Sequence, residues 1–158
     1  MVRRIRPVGL EFVESARVRL VFGAELGVPQ EAVYRELADR TEDWPEWFAG
    51  VAAVARTPDG RQVRLAGGGQ TWESVLAARP AARYAYRTDH TNIPGASALV
   101  EEWRLSAVAD GGTRVRWTVA TDGTAVYRAL VRLARPALAR TFLMSMRALE
   151  RRLRLPRP

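Results

Sequence analysis

The chain has no cysteine, no lysine and a single histidine, His90. The first absence excludes disulfides, thiolate zinc sites and cysteine nucleophiles, and it fits a cytoplasmic location, where thiols are reduced and disulfides rare. One histidine excludes a multi-histidine metal site and any two-histidine mechanism, and nothing else in the chain implies a metal or a cofactor. Long apolar runs are also missing. Glu11, Glu14, Arg17 and Arg19 interrupt the stretch after the basic N-terminus, so no signal peptide is expected there. No charge-free segment of ~20 residues suits a membrane span. The absence of lysine makes arginine the source of every basic charge in a chain of net charge +8. These arginines are spread along the whole length and mixed with Asp and Glu. There is no arginine–aromatic interleave of the kind an RNA-binding sheet needs, so nucleic acid is not an expected partner.

With 158 residues the chain suits one domain, 1–158, which can bury roughly 70% of its unfolded surface without staples. Residues 1–11, with Pro7 and Gly9, read as a loose arm. From Val18 the side chains alternate, with Val18, Leu20, Phe22, Ala24 and Leu26 on one face, which predicts a half-buried strand. Pro29 opens a short helix, and a second follows around Asp43 to Phe48. Six strand-like segments come next. They begin at Val51 and Val54 and are separated by turn signals at Asp59-Gly60, Gly67-Gly68-Gly69, Pro80, Pro94 and Asp110-Gly111-Gly112. The last strand, Thr113 to Thr121, places Val115, Trp117 and Val119 on one side and arginines on the other. After Gly123 the period becomes helical over residues 124–154, with Pro136 set to kink or split the helix.

This order predicts an α+β fold, in which a curved antiparallel seven-stranded sheet wraps a long C-terminal helix and two short helices follow the first strand. Three stretches carry a resemblance to the START-like superfamily, which includes polyketide cyclase/dehydrase and lipid-transport proteins. They are Glu25 to Tyr34, Trp47 followed by Val51 and Val54, and Gly112 to Trp117 leading to a closing helix with Leu149-Glu150. Over about residues 16–154 the chain resembles the helix-grip fold of that superfamily. The resemblance implies a cavity for an apolar ligand between sheet and helix. It implies no particular reaction, because the superfamily mixes carriers with enzymes.

Candidate ligand-binding residues are the strand aromatics Phe22, Trp72, Tyr84, Tyr86, Trp103 and Trp117, together with Trp47 and Met146. Flat apolar walls would hold a hydrophobic molecule, and the tyrosine hydroxyls would orient its polar group; the same residues would also serve simply as core. His90 shares strand parity with Tyr84 and Tyr86, and Glu101 shares parity with Trp103, which makes His90 and Glu101 the candidate catalytic acid–base groups. The plain alternatives are a strand-end cap for His90 and a solvated rim position for Glu101. By parity with Trp72, Glu73 is expected outside. Arg17, Arg19, Arg114 and Arg116 project from neighbouring strands and offer a basic face for transient contact with an anionic membrane or an acidic partner. The functional expectation is binding of a lipid, isoprenoid or aromatic polyketide-like molecule by a monomer or homodimer. A cyclase, aromatase or dehydratase is the first alternative and a basic protein-interaction domain the second.

Overall fold

Alternation in the sequence becomes a single antiparallel sheet in the computed structural model, which describes residues 1–156. Strand β1 (Arg3–Arg4) is followed by a short helix α1 (Phe12–Ser15) and strand β2 (Val18–Leu26). Helix α2 (Gln30–Tyr34) continues into a wider π turn (Arg35–Asp39) and a 3-10 turn (Thr41–Glu46). Strands β3 (Val51–Thr57), β4 (Gly60–Leu65), β5 (Gln70–Arg79), β6 (Arg83–Thr91), β7 (Ala96–Ala107) and β8 (Thr113–Gly123) then run as successive hairpins. Helices α3 (Ala125–Leu133) and α4 (Arg135–Arg154) close the chain. The strand order is β2-β8-β7-β6-β5-β4-β3, with β1 paired to β6 off this path; β2 adds beside the last strand, and from β3 to β8 every neighbour is a sequence neighbour. No helix among the described residues is long and apolar enough to cross a membrane.

The hairpins form where their turn chemistry allows it. Pro58 and Asp59 link the paired ends Thr57 and Gly60. Between β7 and β8 both Asp110 and Gly111 take left-handed backbone angles, a conformation that aspartate and glycine tolerate best. The helical stretch breaks at Ala134 because Pro136 lacks the amide proton an interior helical position needs, yet suits the first turn of a new helix. Thr124 caps α3, its hydroxyl accepting from the Tyr127 amide at 3.2 Å.

The N-terminal residues differ from the loose arm read in the sequence. β6 pairs with β7 only from Arg83 to Arg87. Beyond that point the edge of β6 is taken up by β1, with Arg3 opposite Thr91 and Arg4 opposite His90. The Ile5 and Arg6 amides continue this with bonds to Asp89 and Ser97, both at 2.9 Å. Val8, Phe12 and Val13 then bury themselves against Ala98, Val100 and Ala120 on the convex face. Diverging strands leave backbone donors and acceptors that need partners, and the arm supplies them.

The main core lies on the concave face. Register places Phe22, Trp117, Trp103 and Tyr84 side by side across four strands. Trp103 and Trp117 stack with ring centres 5.3 Å apart, and Phe142 of α4 stacks on Trp117 at 5.9 Å. Phe48 meets both indoles edge-on at 5.7 Å. Offset and edge-on aromatic contacts of this kind add about 0.5–1.5 kcal/mol per pair beyond the burial itself. Met146 and Leu149 extend the seam along α4.

Candidate functional site

The row of aromatics fills one end of the concave face, and the neighbouring rows do not match it in size. Leu20, Val119, Glu101 and Tyr86 form the next row, followed by Val18, Thr121 and Leu99. These shorter side chains leave a cavity of about 350 Å³ between the sheet and the helical cover. Tyr127 and Val131 of α3, with Leu138 and Thr141 of α4, close it from above, and Trp44, Phe48 and Val51 close one side. The walls are mainly apolar.

Two carboxyls interrupt them, Glu101 and Glu73. Glu73 is neutralised inside the protein. Its Oε2 accepts from Arg61 Nε at 2.8 Å and its Oε1 from the Thr71 hydroxyl at 2.8 Å. Arg61 is only 2% exposed. Its guanidinium lies over the rings of Tyr86 and Trp44, 4.2 and 4.4 Å from their centres, and donates to the Tyr84 hydroxyl. These faces stand in for the hydration a buried cation loses. Burial raises the Glu73 pKa and Arg61 counters the rise.

Among the described residues no ion pair reaches Glu101. Trp117 Nε1 donates to its Oε1 at 3.1 Å, and the Tyr86 hydroxyl beside it accepts from Trp103 Nε1 at 3.2 Å. Burial first, and the negative charge of Glu73 second, push the Glu101 pKa up to about 8, against the pull of Arg61 and of hydrogen bonds from Trp117 and Tyr86. One buried cation balances one carboxylate, so the second carboxyl keeps its proton at neutral pH. A neutral carboxylic acid both donates and accepts a hydrogen bond, and it can deliver a proton.

Of the residues singled out in the sequence, Glu101, Tyr86 and Trp117 meet in the cavity. Phe22, Trp47, Trp103 and Met146 pack in the core beside it rather than lining it. Tyr84 lies beyond Arg61 and faces a separate crevice with Ala38 and Thr41. Trp72 and His90 are corrections of a different kind. They pair across β5 and β6 and line a cleft on the convex face with Arg4 and Asp89. The cause is a bulge. Between the pairs Trp72–His90 and Glu73–Thr88, Asp89 is an extra residue on β6, so the parity that carries Tyr84, Tyr86 and Thr88 inward turns His90 outward. On β5, Thr71 and Glu73 face in and Trp72 faces out, the reverse of the sequence expectation. His90→Ala is therefore expected to leave cavity occupancy unchanged and to alter stability by no more than about 0.5 kcal/mol, as for an exposed position, which native mass spectrometry and thermal melting will check.

Arg61 and Thr71 are absent from the residues singled out in the sequence, and Glu73, expected outside, lies inside. The available signal was charge pairing. Arg61 and Glu73 fall directly opposite each other across the β4–β5 hairpin, and opposite charges in register on adjacent strands stabilise each other. The expected basic face is largely answered from within the chain: Arg114 pairs with Glu25 at 2.7 Å, Arg19 lies 3.6 Å from Glu14 and Arg17 lies 3.7 Å from Asp122.

A family model described as polyketide cyclase/dehydrase and lipid transport matches residues 17–154. An uncharacterised protein of Mycobacterium tuberculosis is 30% identical over 150 residues, covering 89% of each chain, and one from Mycobacterium bovis matches equally. Among solved structures, the Zhui aromatase/cyclase of a Streptomyces species superposes with a TM-score of 0.71 at 14% identity, over 86% of this chain and 93% of that one. A START superfamily protein from Mycobacterium smegmatis gives 0.67 at 14% identity, over 85% and 96%. Ginseng major latex-like protein 151 from Panax ginseng gives 0.67 at 10% identity, over 88% and 98%. At these identities the structural likeness shows the helix-grip fold alone.

Proposed function

Because the chain belongs to the polyketide cyclase/dehydrase and lipid transport family, we propose that it binds an apolar small molecule carrying one hydroxyl or carbonyl oxygen. The molecule lies in the cavity with that oxygen against Glu101. The observation that carries this reading is a buried carboxyl without an ion-pair partner among the described residues, set in mainly apolar walls that push its pKa up to about 8. An apolar ligand without a polar atom would leave the remaining hydrogen-bonding capacity of the carboxyl unused, and a charged one would meet little to replace its water. The volume of about 350 Å³ lies at the small end of the range of about 300–1,000 Å³ for ligand pockets, which favours a fused-ring or short isoprenoid molecule over a two-chain lipid.

Native against denaturing mass spectrometry of the purified protein tests the reading. A non-covalent adduct seen only under native conditions, and weakened in Tyr86→Ala and Trp117→Ala proteins that still melt cooperatively, supports it. An adduct indifferent to both substitutions places the ligand elsewhere and ends the cavity assignment.

A second reading has its own support. With a pKa near 8, Glu101 is a proton donor at neutral pH, which suits a cyclase, aromatase or dehydratase acting on a folded polyketide-like chain. On that reading Glu101→Gln abolishes turnover of such a substrate while retaining binding, and a fully active variant removes Glu101 from the chemistry.

A further inference from the structure

Helix α3 has two faces with different duties. Its inner side lines the cavity through Tyr127 and Val131. Its outer side carries Val126, Leu130 and Leu133 at 69, 60 and 76% exposure, a continuous stripe at helical spacing. Leu143 and Met144 of α4 are also exposed. Single exposed leucines are ordinary, but a stripe of them along one helix marks a contact surface.

The charge around the stripe decides what it meets. From Gly123 to Leu149 there is no aspartate or glutamate, while arginines stand at 128, 132, 135, 140 and 147; Arg128 is held by Asp122 at 3.5 Å, and Arg140 and Arg147 are exposed beside Leu143 and Met144. Arg132 and Arg135 lean from the helices toward β2, donating to the carbonyls of Arg17 and Val21 at 3.1 and 3.4 Å. A second copy of the chain docked by twofold symmetry would set this acid-free segment against itself, with no carboxylate of the segment to answer its arginines. An anionic bilayer answers both features at once. Its acyl boundary takes the leucines and its headgroups take the guanidiniums, as for helices that lie in the membrane interface.

We propose that α3, with the start of α4, docks the protein on anionic lipid bilayers, Val126, Leu130 and Leu133 entering the interface and the exposed Arg140 and Arg147 meeting the headgroups. The contact lies on the helical side of the molecule, next to the cavity wall, and not on the convex strand face, where Arg17, Arg19 and Arg114 are already paired. It goes beyond the cavity reading and stands without it.

Vesicle flotation tests it, comparing neutral phosphatidylcholine with phosphatidylcholine containing about one-third phosphatidylglycerol. Wild-type protein should float with the anionic vesicles at least about tenfold more than with neutral ones and lose most of that binding in high salt. Leu130→Glu/Leu133→Glu, placed at exposed positions and checked for an unchanged melt, should not float. Flotation of this variant at the wild-type level overturns the proposal. So does a wild-type protein that ignores vesicles and elutes as a dimer which the variant turns into a monomer. Native mass spectra of both proteins keep the two readings apart, because an empty cavity with intact flotation defeats only the ligand.

Discussion

Arg61→Met should cost the fold about 3–5 kcal/mol, the usual penalty for leaving one partner of a buried ion pair alone. The expectation rests on how completely the pair is enclosed. Arg61 and Glu73 are both buried, and their closest polar neighbours are the Tyr84 hydroxyl and Thr71. Without the guanidinium, Glu73 has either to remain charged in an apolar setting or to take up a proton. In the variant its pKa rises further above the unfolded value, so the loss should be smallest in acid and grow as pH rises. The double variant Arg61→Met/Glu73→Leu removes both charges and should recover most of the stability, since packed apolar residues commonly replace such pairs at little cost. Urea unfolding at several pH values measures both proteins. A single variant that unfolds at the wild-type midpoint would show that the pair is solvated and that the balance of charges in the cavity is not as described.

Glu101→Gln should flatten the dependence of stability on pH. The folded carboxyl holds its proton up to about pH 8, whereas in the unfolded chain it releases it near the ordinary value of about 4.3. Between these limits the folded state binds more protons than the unfolded state, so this group makes wild-type stability fall as pH rises. Glutamine has nothing to titrate. The variant should match wild type in acid and melt above it at about pH 9, by about 2–4 °C for each kcal/mol removed from the slope. Trp117 provides a second readout, because its indole donates directly to this carboxyl. Wild-type fluorescence should show a transition near pH 8 that the variant lacks. Parallel stability curves without that transition would mean that Glu101 ionises normally and is no proton-bearing group at neutral pH.

The sequence made the fold legible where one periodicity governed a whole element. The alternation in β8, the helical repeat beyond Gly123 and the interruption at Pro136 all appear as read, because each depends on neighbours along the chain. The site was harder for the opposite reason. Parity predicts the direction of a side chain only until a bulge intervenes, and the extra residue at Asp89 sent His90 to the convex face. A rule that puts tryptophan inside and glutamate outside fails where an arginine on the next strand makes the glutamate cheap to bury, as Arg61 does for Glu73. The cavity itself is formed by modest residues, Val119, Thr121 and Leu99. Nothing in these side chains announces a binding site, and only the register that sets them next to a row of tryptophans reveals the space. The arm at residues 1–11 is legible as a segment but its docking is not, because its apolar residues follow no period and are fixed by a gap between strands far away in the chain.

The placement of β2 beside β8 also governs when the molecule can become whole. From β3 to β8 each strand finds its partner one hairpin away, so this part of the sheet can form by short steps. β2 has to wait for residues 113–121 to close its ladder, and β1 for residues 90 and 91. On the ribosome the first strands therefore emerge long before their partners do. In refolding, joining β2 to β8, the pairing of greatest sequence separation in the sheet, carries the largest loop-closure cost. Substitutions that weaken the β2–β8 seam, such as Leu20→Ala, should on this view leave the hairpin meander to assemble at its own pace and slow the last event, the capture of the N-terminal strand.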